Sequence, residues 1–214
     1  MHQTQSSDLL KGKKGIRIMA LMTLVGFPLL GLGINAIFHI VSLQDLYASQ
    51  IGYGYEIILG VPLGILFAAL GWKLVKSSWM KGAYDDIEMK IKQFELTLPD
   101  IIFISLCAGI GEEILFRGVI QPAFGVWLTS VVFVGIHGYL RPDQWRRSLY
   151  GVYMTLVIAV MGYMRIYWGL TSAIVAHATV DMVLFYYTFQ SAEKDKDSIL
   201  SERYERVDLL DQEE

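Results

Sequence analysis

The chain has 214 residues, of which 54% are hydrophobic, 13% aromatic and only 18% charged. An ordinary soluble domain carries about 25% charged residues, so the balance excludes a disordered chain or a typical water-soluble enzyme and points to a membrane protein. The formal net charge of −3 offers no basic surface for nucleic acid, and a single cysteine, Cys107, excludes an intrachain disulfide and a CxxC metal or redox pair.

A bilayer core asks for about 20 mostly apolar residues per helix. The first such run, residues 18–44, follows Lys11, Lys13, Lys14 and Arg17. It is too long for a signal-peptide core of roughly 7–15 residues and reads as an uncleaved first span. The second, residues 57–72, is bounded by Glu56 and Lys73, whose side chains can snorkel to the interface. Residues 73–95 are polar and mixed in charge, which suits an interfacial helix or connector. Leu98-Pro99-Asp100 opens a third element, with proline near a first helical turn. Its apolar run is interrupted by Glu112, Glu113 and Arg117 and breaks at Gln121-Pro122. Residues 123–140 form a fourth segment, apolar apart from His137, and residues 148–164 a fifth. The sixth, residues 167–190, contains His177 and Asp181, and residues 191–214 make a charged tail.

The expected fold is all-α, a polytopic membrane helix bundle of about six transmembrane helices. Six spans put both termini on one side. If that side is the cytoplasm, it holds every one of the 18 basic residues except Arg117 and Arg165, as the positive-inside rule requires.

Ionisable groups inside a span cost at least about 2.5–3.5 kcal/mol on insertion scales and therefore face the bundle interior, where they are usually functional. Glu113 and Arg117 are four apart on one helical face, which suits an ion pair. Glu112, about 100° round the helix from Glu113, has no partner in its own helix. His177 and Asp181 are also four apart, so the carboxylate can orient the imidazole. Phe133 precedes His137 by one turn and shares its face.

Two chemistries fit this set. In one, Glu112 takes a proton from water positioned by His137, while His177 and Asp181 serve the developing oxyanion. In the other, a Glu/His/His set holds a zinc-bound water. No HExxH and no Gly-x-Ser-x-Gly elbow occurs. Cys107 lies five residues before Glu112, about 140° away round the helix, and is read as a packing residue.

Glu112-Glu113-Ile-Leu-Phe-Arg117, Phe133-Val-Gly-Ile-His137 and His177-Ala-Thr-Val-Asp181 resemble, in order, the three signature motifs of the CPBP family of intramembrane proteases. That family includes the CAAX prenyl proteases of the Ras-converting type and bacterial Abi proteins. The resemblance covers residues 98–190 and implies a catalytic core there, preceded by N-terminal spans and a connector (residues 1–97) and followed by the tail (191–214). It implies a membrane endopeptidase in which Glu112 activates water with His137, His177 and Asp181 stabilise the oxyanion, and Glu113, Arg117 and Phe133 support the site. No metal or other cofactor is expected on this reading, with zinc the alternative that the ligand set admits. The implied partners are membrane lipid and a membrane-embedded peptide or lipidated protein, and the implied location is a bacterial inner membrane. Asp181 stands where the eukaryotic prenyl proteases have Asn. The competing classes are a non-catalytic bacteriocin-immunity-type membrane protein and a proton-coupled transporter. A transporter is expected to show repeat-related spans, and the sequence has none.

Overall fold

The computed structural model describes residues 12–80, 94 and 96–211. The polar stretch expected as a connector lies largely outside the described residues. The first span is α1 (Lys13–Phe38). It stops short of the predicted residue 44 because the Asn35 side chain bonds both the N–H and the C=O of Val41, at 2.9 Å each, and turns the chain out of the helix. A short helix, α2 (Leu43–Tyr47), is capped by Ser42, whose hydroxyl accepts from the Asp45 N–H at 3.0 Å. The second span is α3 (Tyr53–Val75).

The third element is longer than expected. α4 (Leu98–Glu113) runs on through a π-helical segment (Ile114–Ile120) into a last α turn (Gln121–Phe124). The expected break at Gln121-Pro122 does not occur there. The Gln121 N–H still bonds the Phe116 carbonyl, and Pro122 falls at the start of the final turn, where its missing donor costs little. At the other end of α4, Asp100 accepts from the Thr97 N–H at 2.9 Å and hydroxyl at 2.6 Å. The same carboxylate takes Arg17 Nε at 2.6 Å and Lys13 Nζ at 3.4 Å, which fastens α1 to α4.

The fourth segment is a half-helix, α5 (Val126–Ile136). Gly125 and Gly138, at φ 79° and 73°, bracket it in a backbone conformation that favours glycine. At ~1.5 Å per residue it covers roughly half of a ~30 Å hydrocarbon core. The non-helical residues that follow must then be buried in protein or line a water-filled cavity. α6 (Trp145–Tyr167) and α7 (Leu170–Asp211) complete the chain, α7 continuing without a break into the charged tail.

Among the described residues α1, α3, α6 and the Leu170–Ser191 part of α7 are each long and apolar enough to cross a membrane. With the α4 run and α5 they form a bundle of six helical segments. α7 lies at its centre, packed on α3, α4 and α6, while α1 lies along α4 and α5 along α6. Leu115, Phe116, Phe133, Val134, Met161 and Ala176 form the core where α4, α5, α6 and α7 meet. Glu56 does not snorkel. It is completely buried, and its carboxylate accepts the Ser172 N–H at 3.0 Å in the first turn of α7, where a negative charge meets the positive end of the helix dipole.

Candidate active site

All seven singled-out residues converge. α4 and its π segment supply Glu112, Glu113 and Arg117, α5 supplies Phe133 and His137, and α7 supplies His177 and Asp181. Glu113 and Arg117 are fully buried and paired as expected, with Arg117 Nε 3.1 Å from Glu113 Oε2. Both Nη atoms of Arg117 lack hydrogen-bond partners, but the guanidinium lies over the Phe133 ring, 4.7 Å from its centroid, and a cation–π contact in a desolvated site contributes about 2 kcal/mol.

Glu113 also holds His177. The Nδ1–H of His177 donates to Glu113 Oε1 at 2.7 Å, whereas Asp181 Oδ2 lies 3.6 Å from Nε2. The expectation that Asp181 fixes the His177 ring within its own helix is therefore corrected. The orienting hydrogen bond comes across the bundle from α4, and Asp181 faces the other nitrogen.

Glu112 and Glu113 diverge as their offset round the helix dictates. Glu112 Oε2 stands 3.6 Å from His137 Nε2 and 3.9 Å from His177 Nε2, and is buried without a hydrogen-bond partner. His137 donates its Nδ1–H to the Phe133 carbonyl at 2.7 Å, so in the neutral ring Nε2 is an acceptor aimed at Glu112. Phe133 organises both rings: it stacks on His137 with centroids 4.5 Å apart and meets His177 edge-on at 5.8 Å.

These groups open into a cavity of about 260 Å³ lined by Glu112, His137, His177 and Asp181 together with apolar side chains of α4, α6 and α7, among them Ile104, Met154, Ile158 and Leu184. Tyr139 and Tyr150 line it too, and the sequence reading had not singled them out. Tyr139, two residues after His137, stacks parallel to its ring at 6.5 Å. The sequence marks it only by its place two residues after His137. Cys107 is buried among Ala20, Ile101 and Ile104, outside the cavity lining, as a packing residue would be. Among the described residues no group of three His, Cys, Asp or Glu side chains is arranged to hold a metal ion.

Two comparisons bear on this geometry. The family described as type II CAAX prenyl endopeptidase Rce1-like matches residues 94–183, a stretch that holds all three motifs. The chain is also 33% identical over 141 residues to the uncharacterized protein YpbD of Bacillus subtilis (strain 168), covering 64% of this chain and 71% of that protein. No solved structure matches.

Proposed function

The chain belongs to the Rce1-like, CPBP family of type II CAAX prenyl endopeptidases, and we propose on that footing that it is an intramembrane glutamic peptidase that cuts prenylated, CAAX-type C-termini. The observation that carries the mechanism is the position of Glu112 Oε2, 3.6 and 3.9 Å from two imidazole Nε2 atoms. Both gaps are too long for direct hydrogen bonds and suit a bridging water.

A water between Glu112 and His137 meets two acceptors, which take one hydrogen each and leave a lone pair free to attack. Glu112 removes the proton as the hydroxyl adds to the scissile carbonyl, then delivers it to the leaving amine. His177, its Nδ1–H committed to Glu113, donates to the oxyanion from Nε2–H as an imidazolium, with the carboxylates of Glu112 and Asp181 as counter-charges. Glu113, Arg117 and Phe133 fix the geometry and do not touch the reacting atoms. No metal takes part in this scheme. With both termini and the loop after α5 assigned to the cytoplasm by the distribution of basic residues, the half-helix α5 offers water and substrate an approach from that side.

Glu112→Gln keeps the side-chain shape and removes the base. It is expected to fold normally and to lose at least about 100-fold in cleavage of a farnesylated peptide. Full activity in that variant would refute the reading, and it also separates a peptidase from a transporter or immunity protein.

A further inference from the structure

Arg147, near the start of α6, stands next to the site with no ion-pair partner among the described residues. Its Nη2 lies 3.9 Å from the point where a Cβ on Gly138 would stand, and Gly138 follows His137 by one Cα step of about 3.8 Å. The side chain is steadied by one long contact, from Nη1 to Gln144 Oε1 at 3.4 Å. Its Nε is buried without a hydrogen-bond partner, and among the described residues no carboxylate stands within ion-pair distance of it. Asp143 is bonded by Arg141, at 3.0 and 3.3 Å, which chiefly holds its carboxyl below the usual carboxylate range, with Arg147 adding a weaker pull from beyond ion-pair distance.

The charges around the cavity differ from place to place. Tyr139, on the lining, feels the negative charges of Asp181 and Glu112 and the positive charge of Arg147. An anionic group on a substrate is repelled by the two carboxylates and attracted to the guanidinium. Arg146, by contrast, is exposed and lies over the Trp145 ring at 5.3 Å, an arrangement suited to the membrane surface. The partly buried Arg147 lies beside Gly138, which stands in the chain between the lining residues His137 and Tyr139.

Resting on the endopeptidase reading above, we propose that Arg147 binds the free C-terminal carboxylate of the substrate and so selects peptides that are cut close to their C-terminus. A guanidinium presents a planar fork that matches a carboxylate bidentately. A three-residue leaving group extends up to about 10 Å, at ~3.3–3.6 Å per residue, so its carboxylate can meet Arg147 while the scissile carbonyl lies at Glu112 and His137.

The test uses the full chain in detergent and a peptide with S-farnesyl cysteine followed by three apolar residues, prepared as the free acid and as the C-terminal amide. Wild type is expected to favour the acid by about 10-fold or more in kcat/KM, as a charge-assisted hydrogen bond gives. Arg147→Gln is expected to lose this preference through a higher KM for the acid, with kcat and the amide kinetics unchanged, and Arg147→Lys to keep part of it. The acid-to-amide ratio is internal to each preparation, so a lower folded yield does not affect it. An unchanged ratio in Arg147→Gln overturns the proposal, as does equal cleavage of acid and amide by wild type, which leaves the peptidase reading standing. Cleavage of neither peptide by wild type overturns the CAAX-type reading and this subsite with it.

Discussion

Glu113 and Arg117 form an ion pair that is 0% and 1% exposed, 3.1 Å apart, and neither can turn to water when the other is removed. Breaking a buried pair by removing one partner costs about 3–5 kcal/mol because an uncompensated charge is left behind. Glu113→Gln can still accept from His177 Nδ1–H, but it leaves Arg117 with only the Phe133 ring. Arg117→Met leaves Glu113 with only His177. For a chain of this size about 2–4 °C of Tm is lost per kcal/mol, so each single variant is expected to melt roughly 6–20 °C lower. The double variant Glu113→Gln/Arg117→Met leaves no unpaired charge, and replacing a buried pair by neutral groups is often near neutral in stability. It is therefore expected to recover about 2 kcal/mol or more relative to the sum of the singles. Thermal unfolding of the four proteins in one detergent, followed by intrinsic fluorescence, completes the cycle. Unchanged Tm in both singles, or strict additivity in the double, would refute the argument.

Asp181→Asn keeps the side-chain shape but removes the negative charge 3.6 Å from His177 Nε2, and turnover at saturating substrate is expected to fall about 10-fold; equal or higher turnover would show that the position acts as a direct donor. Active purified protein is expected to contain no stoichiometric metal, and elemental analysis that finds zinc whose removal abolishes activity would replace the glutamate-activated water by a metal-bound one. Single cysteines at Gln44 and at Arg146 are expected to label from opposite faces of the membrane, with Arg146 cytoplasmic; labelling from the same face would overturn the proposed topology.

The spans were legible because a long apolar run leaves few alternatives, and the site because charges inside such runs must face one another. Position along the chain could not show where individual contacts would fall. Spacing within one helix suggested Asp181 as the partner that orients His177, yet a residue 64 positions away, Glu113, takes that bond. An i,i+4 pattern registers only partners on the same helix. Glu56 looked like an interfacial residue because it borders an apolar run. That the first turn of α7 would dock on it, with the Ser172 N–H as donor, depends on how α3 and α7 cross. The short reach of α5 was hidden for a related reason: residues 123–140 are mostly apolar and carry no Asp, Glu, Lys or Arg, and composition does not distinguish a helix that crosses from one stopped by Gly138 halfway.

Adjacent glutamates ending up in opposite situations is the feature on which the site turns. Glu113 is 0% exposed, accepts the His177 Nδ1–H on Oε1 and is ion-paired through Oε2 with Arg117 at 3.1 Å. Its charge is spent in holding the histidine. Glu112, one residue earlier and about 100° round the helix, faces the cavity and has two imidazoles near it but no direct hydrogen bond on Oε2. The same division runs through the other motifs. Arg117 and His177 have side-chain exposures of 1% and 8%, whereas His137 and Asp181 reach 35% and 27%. Groups sealed from water can fix geometry at full electrostatic strength, since little solvent screens them. A group that must exchange protons with a water molecule needs that water beside it. A Glu-Glu pair on a helix that borders both the core and the cavity meets both requirements with consecutive residues, and the proposed reaction uses Glu112 because Glu113 is already engaged.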